Sequence, residues 1–119
     1  MSGVQRLLAC LLLVSPAALA LSPAAQEFLD VSAKLEPAQC EKRKLRRAIV
    51  LAEVEGRGAD LKKLRARFAA INADPETARL EQRLGVLEAR VLDSHGRPRH
   101  AEDLEAISLQ QRQAFYRCD

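Results

Sequence analysis

Two matched apolar seams most constrain what this chain can fold into. Leu61, Leu64, Phe68 and Ile71 recur at alternating three- and four-residue spacings, and Leu80, Leu84, Leu87 and Val91 repeat the pattern. Residues three and four apart share one face of an α-helix, so each set predicts a helix with a narrow apolar stripe. Between them, Asn72-Ala73-Asp74-Pro75 stops one helix and starts the next, with Asp74 as cap and Pro75 at the first helical position. Two such seams across a four-residue turn predict an antiparallel helical hairpin made by these two helices.

The rest of the chain keeps the same period, and no run alternates apolar with polar residues as a half-buried strand does. Ser22-Pro23 opens a first short helix carrying Phe28, Val31 and Leu35, and Glu36-Pro37 marks a break. A second helix runs from about Pro37 to Glu55 on a stripe of Ala38, Leu45, Ala48, Ile49 and Ala52. Gly56-Arg57-Gly58 closes it, since glycine accepts the left-handed backbone that ends a helix. After the loop Asp93-Ser94-His95-Gly96-Arg97-Pro98, a last helix from about His100 to Arg117 places Leu104, Ile107, Ala114 and Phe115 on one face, with Cys118 aimed inward. Phe115 is expected in the core with Tyr116 over it. The expected fold is all-α: a small bundle of four to five amphipathic helices in a single domain, residues 21–119.

Residues 1–20 differ from the rest of the chain. One positive charge, Arg6, precedes the apolar run Leu7–Leu13, and Ala18-Leu19-Ala20 matches the small-x-small pattern of a signal-peptide cleavage site. The run is too short to span a bilayer, which takes about 20 residues. Cleavage after Ala20 leaves 99 residues without a transmembrane segment, holding 18 basic and 16 acidic residues and two of the three cysteines. A rival reading takes Leu7-Leu8-Ala9-Cys10 as a lipobox with a lipidated Cys10, but it strands the more apolar half, Leu11–Ala20, on the mature chain. Fourteen arginines against five lysines, with abundant alanine and leucine, are compositional marks of a GC-rich bacterial genome. Export then points to the periplasm of a Gram-negative bacterium, or to secretion.

An oxidising compartment turns Cys40 and Cys118 into an expected disulfide. Within one chain it closes a loop of 79 residues, which on the chain-entropy model stabilises by about 4.5 kcal/mol. A bridge between two chains is the alternative, and monomer and homodimer both stay open.

Chemistry-bearing motifs are sparse. No glycine-rich phosphate loop, G-x-S-x-G elbow, H-E-x-x-H or C-x-x-C pair occurs, so no enzyme and no cofactor is expected. The densest charge cluster, Lys42, Arg43, Lys44, Arg46 and Arg47, is expected on the solvent side of its helix, as a candidate interaction surface. Export and three phenylalanines with one tyrosine argue against nucleic acid. His95 and His100, with Asp93, Glu102 and Asp103 nearby, are the only metal-ligating set, and a polar, solvated loop accounts for them better. The reading is a small exported, non-enzymatic helical protein that works by contact with a protein or envelope component. The alternative is a periplasmic metal- or ligand-binding stress protein using the 93–103 loop.

Overall fold

A computed structural model describes residues 21–118. The expected signal peptide, residues 1–20 with Cys10, lies outside them. The chain is all-α, with four helices: α1 (Pro23–Val54), α2 (Gly58–Ala73), α3 (Pro75–Val91) and α4 (Ala101–Arg117).

Ser22 caps α1 as expected, its hydroxyl accepting from the Ala25 N–H at 3.2 Å, with Pro23 next in the chain. The expected break at Glu36-Pro37 does not form: α1 continues through it for 32 residues. Pro37 removes one backbone hydrogen bond and disfavours helix at Glu36, yet it lies on the exposed side of α1 with Ala33. The opposite side is a continuous seam of Phe28, Val31, Leu35, Ala38, Lys42, Leu45, Ile49 and Ala52, spaced alternately by three and four. Packing along that seam outweighs the local preference to stop.

The order of cross-helix contacts gives the topology. Moving back along α1, Glu53 pairs with Arg65, Lys42 with Asn72 and Glu27 with Arg83. Partner numbers rise as α1 numbers fall, so α2 and α3 both run antiparallel to α1. The hairpin therefore has α1 as one arm and α2 followed by α3 as the other. This corrects the expectation that α2 and α3 pair with each other: their seams both face α1. One residue, Asp74, separates the two helices, too few to reverse the chain between antiparallel neighbours. Asp74 instead accepts from the Thr77 N–H at 2.9 Å and starts α3.

The fourth helix runs parallel to α1 with a fixed offset. Asp103 accepts from Ser22, Gln110 donates to the Leu29 carbonyl and Arg117 pairs with Glu36, each 81 residues apart and seven residues after the last. The Cys40–Cys118 disulfide, with Cα atoms 5.4 Å apart, closes this row within one chain. α1, α3 and α4 thus enclose a core of Phe28, Val31, Leu35, Leu80, Leu84, Leu87, Val91 and Ile107. Of the expected apolar face of α4 only Ile107 is buried, whereas Leu104 and Phe115 are exposed. The working seam of α4 is Asp103, Ile107, Gln110, Ala114 and Cys118. Its polar members escape an apolar pattern because their partners are polar groups of α1.

Asp103 is fully buried, and its two carboxyl oxygens take the Ser22 N–H at 3.1 Å and the Ser22 hydroxyl at 2.9 Å. Truncating it in Asp103→Ala leaves both donors at a helix start without that partner. We expect a loss of about 2–3 kcal/mol in urea denaturation, with a smaller loss for Asp103→Asn.

Glu27 and Glu36 also tie helices together. Their carboxyl groups titrate below the ordinary carboxylate value, held down by hydrogen bonds from the Arg83 and Arg117 guanidinium groups. A lowered carboxylate stabilises the fold above its unfolded value of 4.5 and loses that contribution as pH falls through the folded value. The thermal midpoint should therefore start to fall below about pH 4.5. Glu27→Gln/Glu36→Gln should flatten this decline.

Candidate functional site

The bundle is not uniform along its length. α4 ends at Arg117 against Glu36, so the distal part of α1 is left with α2 as its partner. The α1 positions that meet α4 form a seven-residue series, Ser22, Leu29 and Glu36. The next members are Arg43, whose guanidinium lies 5.8 Å from the Phe115 ring centroid, and Val50, which meets solvent. Val50, Leu51 and Val54 are 57%, 52% and 80% exposed, although all three are aliphatic. With Arg46 and Arg47 they line a shallow groove on the outer face of α1. Gly56, at φ +67°, turns the chain beyond Val54 and sends α2 back.

Charge concentrates in the same place. Ten basic and three acidic residues fall between positions 42 and 68, against nine and thirteen elsewhere, so this segment carries +7 and the remainder −4. The overall +3 hides that asymmetry. All three acids are already paired: Glu53 with Arg65, and both Glu55 and Asp60 with Arg57. Arg43, Lys44, Arg46, Arg47, Lys62 and Lys63 take part in no ion pair among the described residues.

Of the five clustered cations, Lys44, Arg46 and Arg47 are exposed and Arg43 is half-buried. Lys42 departs from the expected solvent-facing set. It is a buried member of the α1 seam, donating to Asn72 Oδ1 at 2.8 Å and Glu81 Oε1 at 2.7 Å. Phe68 of α2 lies between Lys42 and Arg46, with its ring centroid 5.7 and 5.4 Å from their charged groups. Lys42 therefore fastens α1 to α2 and α3 and leaves the charged surface to its neighbours. The apolar run Val50, Leu51 and Val54, absent from the sequence-predicted site, completes that surface. A charge count over windows of about 25 residues is the signal that locates it.

The 93–103 loop is spent on its own folding. Asp93 Oδ1 accepts the N–H of His95 at 2.8 Å and of Arg97 at 3.0 Å, and these backbone bonds lower its pKa. Asp103 turns inward to Ser22, while His95 and His100 stay exposed. Among the described residues, no three or more His, Cys, Asp or Glu side chains converge so that they could hold a metal ion. Phe115 and Tyr116, expected in and over the core, are instead both exposed, with rings edge to face at 5.5 Å.

Substitutions separate the structural cation from the surface ones. Lys42→Glu sets a second carboxylate against Glu81 inside the seam and should cost about 3 kcal/mol or more. Arg46→Glu/Arg47→Glu should change stability by less than about 1 kcal/mol, since neither side chain is buried. Urea denaturation of the two variants checks the contrast.

Comparison with protein-family models, curated proteins and solved structures returned no match to this chain.

Proposed function

We propose that this is an exported, non-enzymatic helical protein that acts by surface contact, and that its distal two-helix tip makes the contact. The observation that carries the reading is six cations outside any ion pair, gathered beside an exposed aliphatic ridge on a surface of +7. A contiguous exposed apolar patch rimmed by charged residues is the mark of an interaction site. They suit a partner that supplies negative charge together with apolar area.

Other features support the same reading. The signal-like residues 1–20 and a disulfide from α1 to α4 fit the periplasm, where disulfides persist. The two buried charged or polar side chains, Lys42 and Asp103, are both engaged in holding helices together, which suits a structural scaffold. No helix among the described residues is long and apolar enough to cross a membrane, so the tip would meet its partner from the aqueous side.

Two measurements in cells test this. Mass spectrometry of a periplasmic fraction should find the chain beginning at Leu21, and a cytoplasmic chain that keeps residues 1–20 would defeat the export reading. A photo-reactive residue at Val54 should cross-link to envelope material, whereas one at Arg90 on the opposite end should not. Equal cross-linking at both ends, or none at Val54, overturns the tip as the contact surface.

A further inference from the structure

We infer that the partner of the distal tip is the anionic phospholipid surface of a membrane. The inference rests on the tip being the contact surface and names what it meets.

The layout of α1 beyond the end of α4 is graded. Arg43, Arg46 and Arg47 come first, and the aliphatic Val50, Leu51 and Val54 lie nearer the turn. Arg47, Val50, Leu51 and Val54 share one face by their spacing of three, four and seven. An aliphatic face beside arginines is the layout of a helix that lies in the plane of a membrane interface, its apolar side entering the headgroup and acyl boundary by about 5–10 Å. Lying along the surface on this face, α1 would bury Val50, Leu51 and Val54 while Arg43, Arg46 and Arg47 reach the phosphates on their long stems. Lys62 and Lys63, exposed near the start of α2, add to the positive charge of this end. The three carboxylates lie toward the turn and are engaged within the protein, Glu53 with Arg65 and both Glu55 and Asp60 with Arg57.

Two other occupants fit less well. A second copy meeting the ridge through its own tip would bring +7 against +7. A folded acidic protein would be expected to find an aromatic anchor here as well as the arginines. Here the shallow groove is lined by aliphatic and arginine side chains without an aromatic one, and Phe68 of α2 is already covered by Lys42 and Arg46. A fluid anionic surface needs neither a pocket nor a matching shape.

The test is co-sedimentation of the chain, purified as the cell processes it, with lipid vesicles. One set is phosphatidylethanolamine containing phosphatidylglycerol, and the other is phosphatidylcholine alone. We expect binding to the phosphatidylglycerol vesicles that weakens with salt and is absent from phosphatidylcholine. Arg46→Ala/Arg47→Ala should weaken it by about 30-fold, from about 1 kcal/mol per cation near the surface. Val50→Ser/Leu51→Ser/Val54→Ser should weaken it comparably, with the melting curves of both variants unchanged. Equal binding to both vesicle types, binding indifferent to both variants, or no binding overturns the inference. So does a concentration-dependent dimer in size exclusion that the triple serine variant abolishes, because a second copy then covers the ridge. Cross-linking at Val54 without vesicle binding would sink the lipid assignment and leave the contact reading standing; loss of both would sink both.

Discussion

Pro37 takes one hydrogen bond out of the middle of α1 and presses Glu36 toward extended backbone, so by local preference this helix divides there. What holds it together is packing along the α1 seam, reinforced by contact with α4 on both sides of the proline. Arg117 grips Glu36 through two hydrogen bonds of 2.8 and 3.0 Å, and the disulfide anchors Cys40 one turn later. The remaining architecture depends on that continuity. Only an unbroken 32-residue helix is long enough to receive α2 and α3 laid end to end, and to offer α4 three contacts at one constant offset.

The same row explains why the molecule has two unlike ends. Where α4 runs, α1 is covered from two sides and an apolar core closes. Where α4 stops, α1 keeps one partner and its outer face opens to water. Lys42 lies at this transition, inside the seam. A buried lysine there is stable only with its donors satisfied, and Asn72 of α2 and Glu81 of α3 satisfy them together. A polar residue in an apolar seam also specifies register, since a slip of one turn would strand the charge. Beyond it, the exposed ridge and the unpaired cations occupy the place a third helix would cover.

Much of this was legible in the residues. The caps at Ser22-Pro23 and Asp74-Pro75, the seams of α2 and α3, the turn at Gly56 and the inward Cys118 all come from local chemistry. Such signals act within a few residues and need no knowledge of the fold. Local rules fail where distant groups decide. Glu36-Pro37 spells a break, and no residue nearby announces Arg117. Asp103 and Gln110 look like ordinary solvated positions of α4 until Ser22 and the Leu29 carbonyl are placed beside them. Lys42 belongs by sequence to a basic cluster, and only the packing of α2 and α3 sets it apart from Arg46 and Arg47. The charge asymmetry was legible as well, but a whole-chain total of +3 conceals a segment of +7.

Sequence by itself determined that this chain is helical, where most of its helices begin and end, and that Cys40 and Cys118 are the two cysteines outside residues 1–20. Periodicity, caps and turn glycines are local terms, and they agree with one another. Tertiary structure alone decided that two of the expected helices fuse into α1, that α2 and α3 face α1 rather than each other, and that the third helix of the bundle ends halfway along. Those outcomes rest on packing and pairings 12 to 81 residues apart, which outweigh local preference at Pro37 and leave the aliphatic side of α1 near Val50 without a neighbour.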